Sequence, residues 1–203
     1  RGLGDVYKRQ IPDTAIERIK EIQGNHANCV VIAVYGNRAY DDGLIQLKDT
    51  AELCGFNVIA SVAAVAEHSI MRQFGNGRPD AEDSKELKKF AEEILEKLSS
   101  EKELSTDYFV PGSHEYKRLG NLNVVPKASA SCTGCGKCAD ACPTGAINKN
   151  NIRTGDSSKC ISCMGCIAAC PKGIRKLNPV FLAAASLKMK DLLSGRKPNE
   201  IFL

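Results

Sequence analysis

The strongest constraint on this 203-residue chain is a pattern written twice. Residues 132–147 read CTGCGKCADACPTGAI, and residues 160–175 read CISCMGCIAACPKGIR. Each copy spaces its cysteines C-x2-C-x2-C-x3-C and follows the last with proline. The first holds Cys132, Cys135, Cys138 and Cys142; the second holds Cys160, Cys163, Cys166 and Cys170. Eight of the ten cysteines fall in these two runs. Thiols so dense and so regular are not ordinary core residues; they point to metal or redox chemistry.

The spacing discriminates between metals. Structural zinc favours two C-x2–4-C knuckles held apart by a longer spacer. Here four cysteines sit within eleven residues and end in Cys-Pro, which is the spacing of thiolates around a [4Fe–4S] cluster. Two-residue gaps let three sulfurs wrap one cluster from a tight loop. Gly134, Gly136 and Gly165 are expected to relieve crowding where backbone N–H groups turn toward sulfur. The fourth cysteine is expected to start a short helix leading away from its own loop. The proline after it turns the chain out of the site.

Charge agrees with this reading. Residues 126–177 carry 8 Lys/Arg against 2 Asp/Glu, whereas residues 11–125 carry 13 against 19. A basic segment can signal nucleic acid. An iron–sulfur core with four thiolates is itself anionic, however, so the lysines offset the cofactor, and no nucleic-acid partner is expected. No apolar run is long enough for a membrane span. The opening residues lack the apolar segment of an export signal, and the expected location is a reducing cytoplasm, where structural disulfides are rare.

Residues 126–177, including the CPTGAI ending, resemble a bacterial-type ferredoxin domain with two [4Fe–4S] clusters. The resemblance implies a β-α-β-β-α-β arrangement with pseudo-two-fold symmetry, one-electron transfer and redox partner proteins. It also implies crossed ligation, in which the fourth cysteine of each repeat serves the other cluster. Cys132, Cys135, Cys138 and Cys170 would hold the first cluster, and Cys160, Cys163, Cys166 and Cys142 the second. The second copy departs at CPKGIRKL, which keeps every ligand but alters packing beside the cluster of Cys132.

The acidic half reads as α/β. Residues 13–23 form an amphipathic helix with Ile16, Ile19 and Ile22 on one face and Gly24 as its stop. The apolar runs 29–35 and 56–66 are expected as buried parallel strands. Between them lies a helix starting near Asp41 and closing at Gly55. A third helix follows, with Leu87, Phe90, Ala91, Ile94, Leu95 and Leu98 on its buried stripe. Such alternation indicates a parallel sheet with crossover helices. His26, His68 and His114 are scattered without ligand spacing, and Cys29 and Cys54 read as small core residues. No catalytic residue set can be argued from spacing.

The loop YGNRAYDDG (35–43) and the segment AEHS…GRPD (66–80) resemble the C-terminal part of a flavodoxin domain. The match is to fusions of flavodoxin with a two-cluster ferredoxin, known from anaerobic bacteria. This resemblance implies that Tyr35, Gly36, Asn37, Arg38, Ala39 and Tyr40 line an FMN ring. It lacks the Ser/Thr/Gly-rich phosphate loop that opens a flavodoxin, so the chain is expected to be an N-terminally truncated fragment. FMN binding is then expected of the full-length protein only. RGLGDVYKRQ (1–10) reads as a non-native leader.

The expected fold class is α/β: a partial flavodoxin-like parallel sheet with helices, then a small α+β ferredoxin-like two-cluster domain and a C-terminal helix. The expected boundaries are 11–99 for the partial flavodoxin-like domain, 100–125 for a linker, 126–177 for the ferredoxin domain, and 178–203 for a C-terminal helix and tail. In that tail, 181–195 is expected as a helix packing on the cluster domain and covering Leu182, Leu187, Leu192 and Leu193. The expected function is electron transfer through two [4Fe–4S] clusters, exchanging with FMN in the longer protein. The alternative is a flavin-dependent iron–sulfur reductase whose substrate site lies in the absent N-terminal half. The sequence does not determine an oligomeric state.

Overall fold

A computed structural model describes residues 10–100, 104–116 and 124–203. Residues 1–9 of the leader expected over 1–10, and part of the linker, therefore lie outside the described residues. The elements are α1 (Asp13–Lys20), β1 (Asn28–Tyr35), α2 (Gly43–Leu53), β2 (Asn57–Val65), α3 (Ala81–Ser100), β3 (Lys127–Ala128), α4 (Lys137–Asp140), α5 (Gly165–Ala168), β4 (Arg175–Lys176), α6 (Pro179–Leu193) and β5 (Glu200–Phe202). The fold is mixed α/β with small sheets. Two compact units form, and the sequence of one interrupts the other: the first takes residues up to 68, then 72–120 and 193–203, and the second takes 69–71 and 121–192.

In the first unit the three-stranded sheet runs β1-β2-β5. β1 and β2 are parallel, as the crossover through α2 requires, with Asn28 opposite Asn57 and Tyr35 opposite Val65. β5 adds antiparallel to the other side of β2, pairing Ser61 with Phe202 and Ala63 with Glu200. β2 is thus central and buried along nearly its whole length. The run 29–35 behaves differently from the buried strand expected. It lies at an edge, with Val31, Ala33 and Tyr35 directed to the core while Ile32 is 55% exposed.

The helices also adjust the sequence reading. α1 ends at Lys20, and Ile22 beyond it is exposed. Gly24 is required by close approach: a Cβ there would stand 2.4 Å from the Gly55 carbonyl carbon. Asp42, rather than Asp41, stands at the N-terminus of α2, and its carboxylate accepts from the Ser113 N–H. On α3 the inward stripe is Asp83, Leu87, Phe90, Ile94 and Lys97, while Ala91, Leu95 and Leu98 face solvent. The stripe ends in polar groups because partners wait for them. Lys97 Nζ donates to the carbonyls of Ile59 at 3.0 Å and Ser105 at 2.9 Å.

Residues 104–116 are irregular, as expected of a linker, yet they are packed. Val110 belongs to the sheet's core, and Tyr108 and Tyr116 lie against it. Tyr108 shares a hydrogen bond with Ser61, and the ammonium groups of Lys48 and Lys97 stand 5.1 and 5.3 Å from its ring centre.

The second unit has little conventional core. Its apolar centre is Cys138, Ile147 and Cys166, with Ala139, Cys142, Ile152 and Ile167 against it. β3 and β4 form a two-stranded antiparallel ribbon. α6 belongs to this unit as far as Leu192. Its buried residues are Ala185, Met189 and Leu193, one per turn, whereas Leu187 and Leu192 are 78% and 57% exposed, contrary to the cover expected for them.

Candidate metal centre

The two cysteine repeats fold alike, with corresponding residues 28 positions apart. Each loop carries two left-handed residues. Gly134 and Gly136 take φ of 73° and 80°, and their counterparts Ser162 and Met164 take 55° and 59°. Gly165 is not one of these left-handed residues, but it lies beside the sulfurs, where a Cβ would stand 3.5 Å from Cys163 Sγ. The second loop does not use a glycine for its turn but holds two L-residues in a conformation that disfavours a Cβ by roughly 1–2 kcal/mol each. Ser162 is buried there and its hydroxyl accepts from the Val124 N–H at 2.9 Å. Backbone strain of this kind collects where a site needs its N–H groups aimed.

The short helices also differ from expectation. α4 contains the third cysteine, Cys138, and α5 contains Cys166. The fourth cysteines, Cys142 and Cys170, lie just past the helix ends instead of starting them. That placement sends each across to the other repeat. One cavity, about 380 Å³ counting its open mouth, is lined by Cys160, Cys163 and Cys166 together with Cys142. A second, about 360 Å³, is lined by Cys132, Cys135 and Cys138 together with Cys170. Among the described residues no three ligating side chains close on a point as a single metal ion demands. The thiols stand around cavity walls.

Electrostatics separates the cysteines by role. Burial raises the Cys142 thiol, but the N–H groups of Thr144, Ala146 and Ile147 and the Thr144 hydroxyl outweigh it, and the net shift is downward. Cys170 is likewise raised by desolvation and then carried below its ordinary value by the N–H groups of Arg175, Ile174, Lys172 and Gly173. The segment after each Cys-Pro therefore curls its amides onto the sulfur, stabilising thiolate. Cys166 is pushed up to about 11, first by burial; the Arg175 charge opposes that, while Cys163, Cys160 and Cys142 add to it. Its thiolate neighbours are the other three residues of its cavity. An anionic set of this kind needs a cationic centre. The Ser162 N–H also points at Cys160 Sγ, at 3.4 Å.

Residues 125–171 match the family model of the 4Fe–4S dicluster domain. No curated protein and no solved structure matches the chain. The matched stretch is ferredoxin-type, and its cofactors are [4Fe–4S] clusters. The donor set fits them: eight thiols in two groups of four, amides turned toward sulfur, and lysines outside.

The loop after β1 is placed differently from an open ligand rim. Tyr35, Gly36 and Asn37 are buried. Tyr35 donates its hydroxyl proton to the Pro198 carbonyl at 3.0 Å and packs edge-on against Tyr40 at 5.4 Å. Burial and the Glu200 carboxylate push its pKa up to about 12 against the opposing charge of Arg78. Asn37 donates to the carbonyls of Leu193 and Gly195 at 2.7 and 2.8 Å and accepts from Arg78 at 3.2 Å. Arg38 pairs with Asp41, Ala39 is exposed, and Tyr40 is half-buried. The two segments that carry the flavodoxin resemblance do meet, through Asn37 and Arg78. Arg78 in turn forms a buried fork with Asp83, at 2.9 Å from Nε to Oδ2. What they jointly hold is the C-terminal segment, a role with no signal in the sequence.

Proposed function

We propose that this chain is an electron-transfer protein in which Cys132, Cys135, Cys138 and Cys170 hold one [4Fe–4S] cluster and Cys160, Cys163, Cys166 and Cys142 hold the other. The observation that carries the proposal is the lining of the two cavities, each taking three cysteines from one repeat and the fourth from the other. When bound, the clusters supply one-electron redox chemistry. The protein's own part is to present thiolates, to direct amides at sulfur and to exclude water through Ile147, Ile152 and Ile167. The exposed lysines beside the repeats, Lys137, Lys159 and Lys172, provide a cationic face for an acidic redox partner protein.

A flavin is the proposed exchange partner in a longer protein, with residues 11–99 acting as part of a flavodoxin-like domain. Support comes from the position of the 35–40 loop at the carboxyl end of a parallel strand, where open sheets receive ligands. Arg38, Ala39 and Tyr40 are the residues left to face a ring. Anaerobic purification tests the first part: broad absorption near about 400 nm that bleaches with dithionite, with about eight irons per chain, is expected. One iron or none per chain refutes it. Titration of the longer protein with FMN tests the second, and fluorescence that stays unquenched there removes the flavin from the reading.

A further inference from the structure

The 28-residue offset gives each position near the cysteines a counterpart, and at one buried pair an apolar side chain is matched by a charged one. Ile147 lies in the apolar centre of the unit. Its counterpart is Arg175, which at 1% exposure is the largest fully buried side chain described. Arg175 Nη1 donates to the Pro126 carbonyl at 2.7 Å, and Nη2 donates to the Ile152 carbonyl. Nε has no hydrogen-bond partner, and among the described residues the partners of the guanidinium are these two carbonyls, with no carboxylate. A buried cation without a counter-ion is destabilising by several kcal/mol, and two carbonyl dipoles compensate only part of that. The position is central. Arg175 lines the cavity of Cys132, Cys135, Cys138 and Cys170, and its charge also reaches the Cys166 thiol of the other cavity.

We propose that Arg175 is the internal counter-charge of the two-cluster core. Its guanidinium raises the electron affinity of the cluster beside it, chiefly that of Cys132, Cys135, Cys138 and Cys170, and its unpartnered Nε–H is the donor reserved for a sulfur there. The proposal rests on the two-cluster reading above. A charge buried at the site acts with little screening, unlike the surface lysines. Arg175 is a positioning and tuning residue, not a ligand, and it makes the two clusters unequal where a symmetric pair of repeats would leave them alike.

The test uses the full chain, reconstituted anaerobically, with iron and sulfide counted before any potential is measured. Arg175→Ile installs the counterpart residue, Arg175→Gln keeps donors without charge, Arg175→Lys keeps charge, and Arg153→Gln removes an exposed arginine as a control. At full iron content, both neutral variants should show one cluster reduced about tenfold less at a fixed potential, a shift of about 59 mV for one electron. Arg175→Lys should retain most of the wild-type value, and Arg153→Gln all of it. Neutral variants with full iron and unchanged potentials overturn the proposal and leave Arg175 a brace for two carbonyls. If the neutral variants do not retain iron, the wild type labelled with 15N-arginine decides. Pulsed EPR of the reduced protein should then show coupling to an arginine nitrogen, and its absence overturns the proposal. A wild type that binds no iron overturns the two-cluster reading itself, and is distinguished by the iron count.

Discussion

Asn199 offers a direct test of how the sheet unit is closed. It is 4% exposed and makes three hydrogen bonds. Its Oδ1 accepts from the Val65 N–H at 2.8 Å, extending the β2–β5 ladder with a side chain. Its Nδ2 donates to Asp83 at 3.0 Å and to Glu86 at 2.6 Å. Asn199→Ala removes two bonds to charged acceptors and leaves a buried N–H without a partner. Bonds to charged groups contribute about 1.5–3 kcal/mol, and an orphaned buried donor costs about 1–3, so a loss of about 4 kcal/mol follows once some water entry is allowed for. With a urea slope of about 2 kcal/mol per molar, the midpoint should fall by roughly 2 M at unchanged slope, read by far-ultraviolet circular dichroism. Asn199→Asp keeps the acceptor for Val65 but sets a third carboxylate against Asp83 and Glu86, and should be at least as damaging at neutral pH. An alanine variant within about 1 kcal/mol of wild type would refute the account of this closure.

Other expectations follow from the same geometry. Cys142→Ala should deplete the cluster of Cys160, Cys163 and Cys166, and Cys170→Ala that of Cys132, Cys135 and Cys138; iron counts near half, with EPR showing loss within the mutated repeat instead, would contradict crossed ligation. Neutralising Lys137, Lys159 and Lys172 together should lower both reduction potentials, by less than Arg175→Ile lowers one, because these lysines are exposed and screened. His68 is buried, and burial first and the Arg38 charge second lower its pKa to about 4. Between about pH 6.5 and 4 the unfolded chain binds the proton and the folded one does not. Stability should therefore fall by about 3 kcal/mol as pH drops through that window, and His68→Gln should flatten the fall in urea titrations. Asp83 is held well below the usual carboxylate range, foremost by its hydrogen bonds with Arg78 against the effect of burial. The stability this contributes is present above about pH 4 and lost below it, and Asp83→Asn should remove that acid dependence while lowering stability at pH 7.

Ligand spacing is local, so the chemistry of the cysteines was legible without any fold: three thiols two residues apart and a fourth before proline suit a cluster whatever surrounds them. The order of helices and strands up to α3 was equally legible, because apolar periodicity reports which face each segment buries. Burial partners left no such trace. Lys97 and Asp83 sit on the inward stripe of α3 because carbonyls and Arg78 meet them there, while Leu95 and Leu98 have no facing surface. The strand Glu200–Phe202 is three residues long, too short for any period, and depends on β2 having an unpaired side and on Asn37, Tyr35 and Asn199 gripping the segment before it. Arg175 carries the same lesson at the metal centre. In the sequence it is one basic residue among eight in a basic segment; only the fold buries it between carbonyls, without a carboxylate, beside thiols that the chain brings together from two repeats.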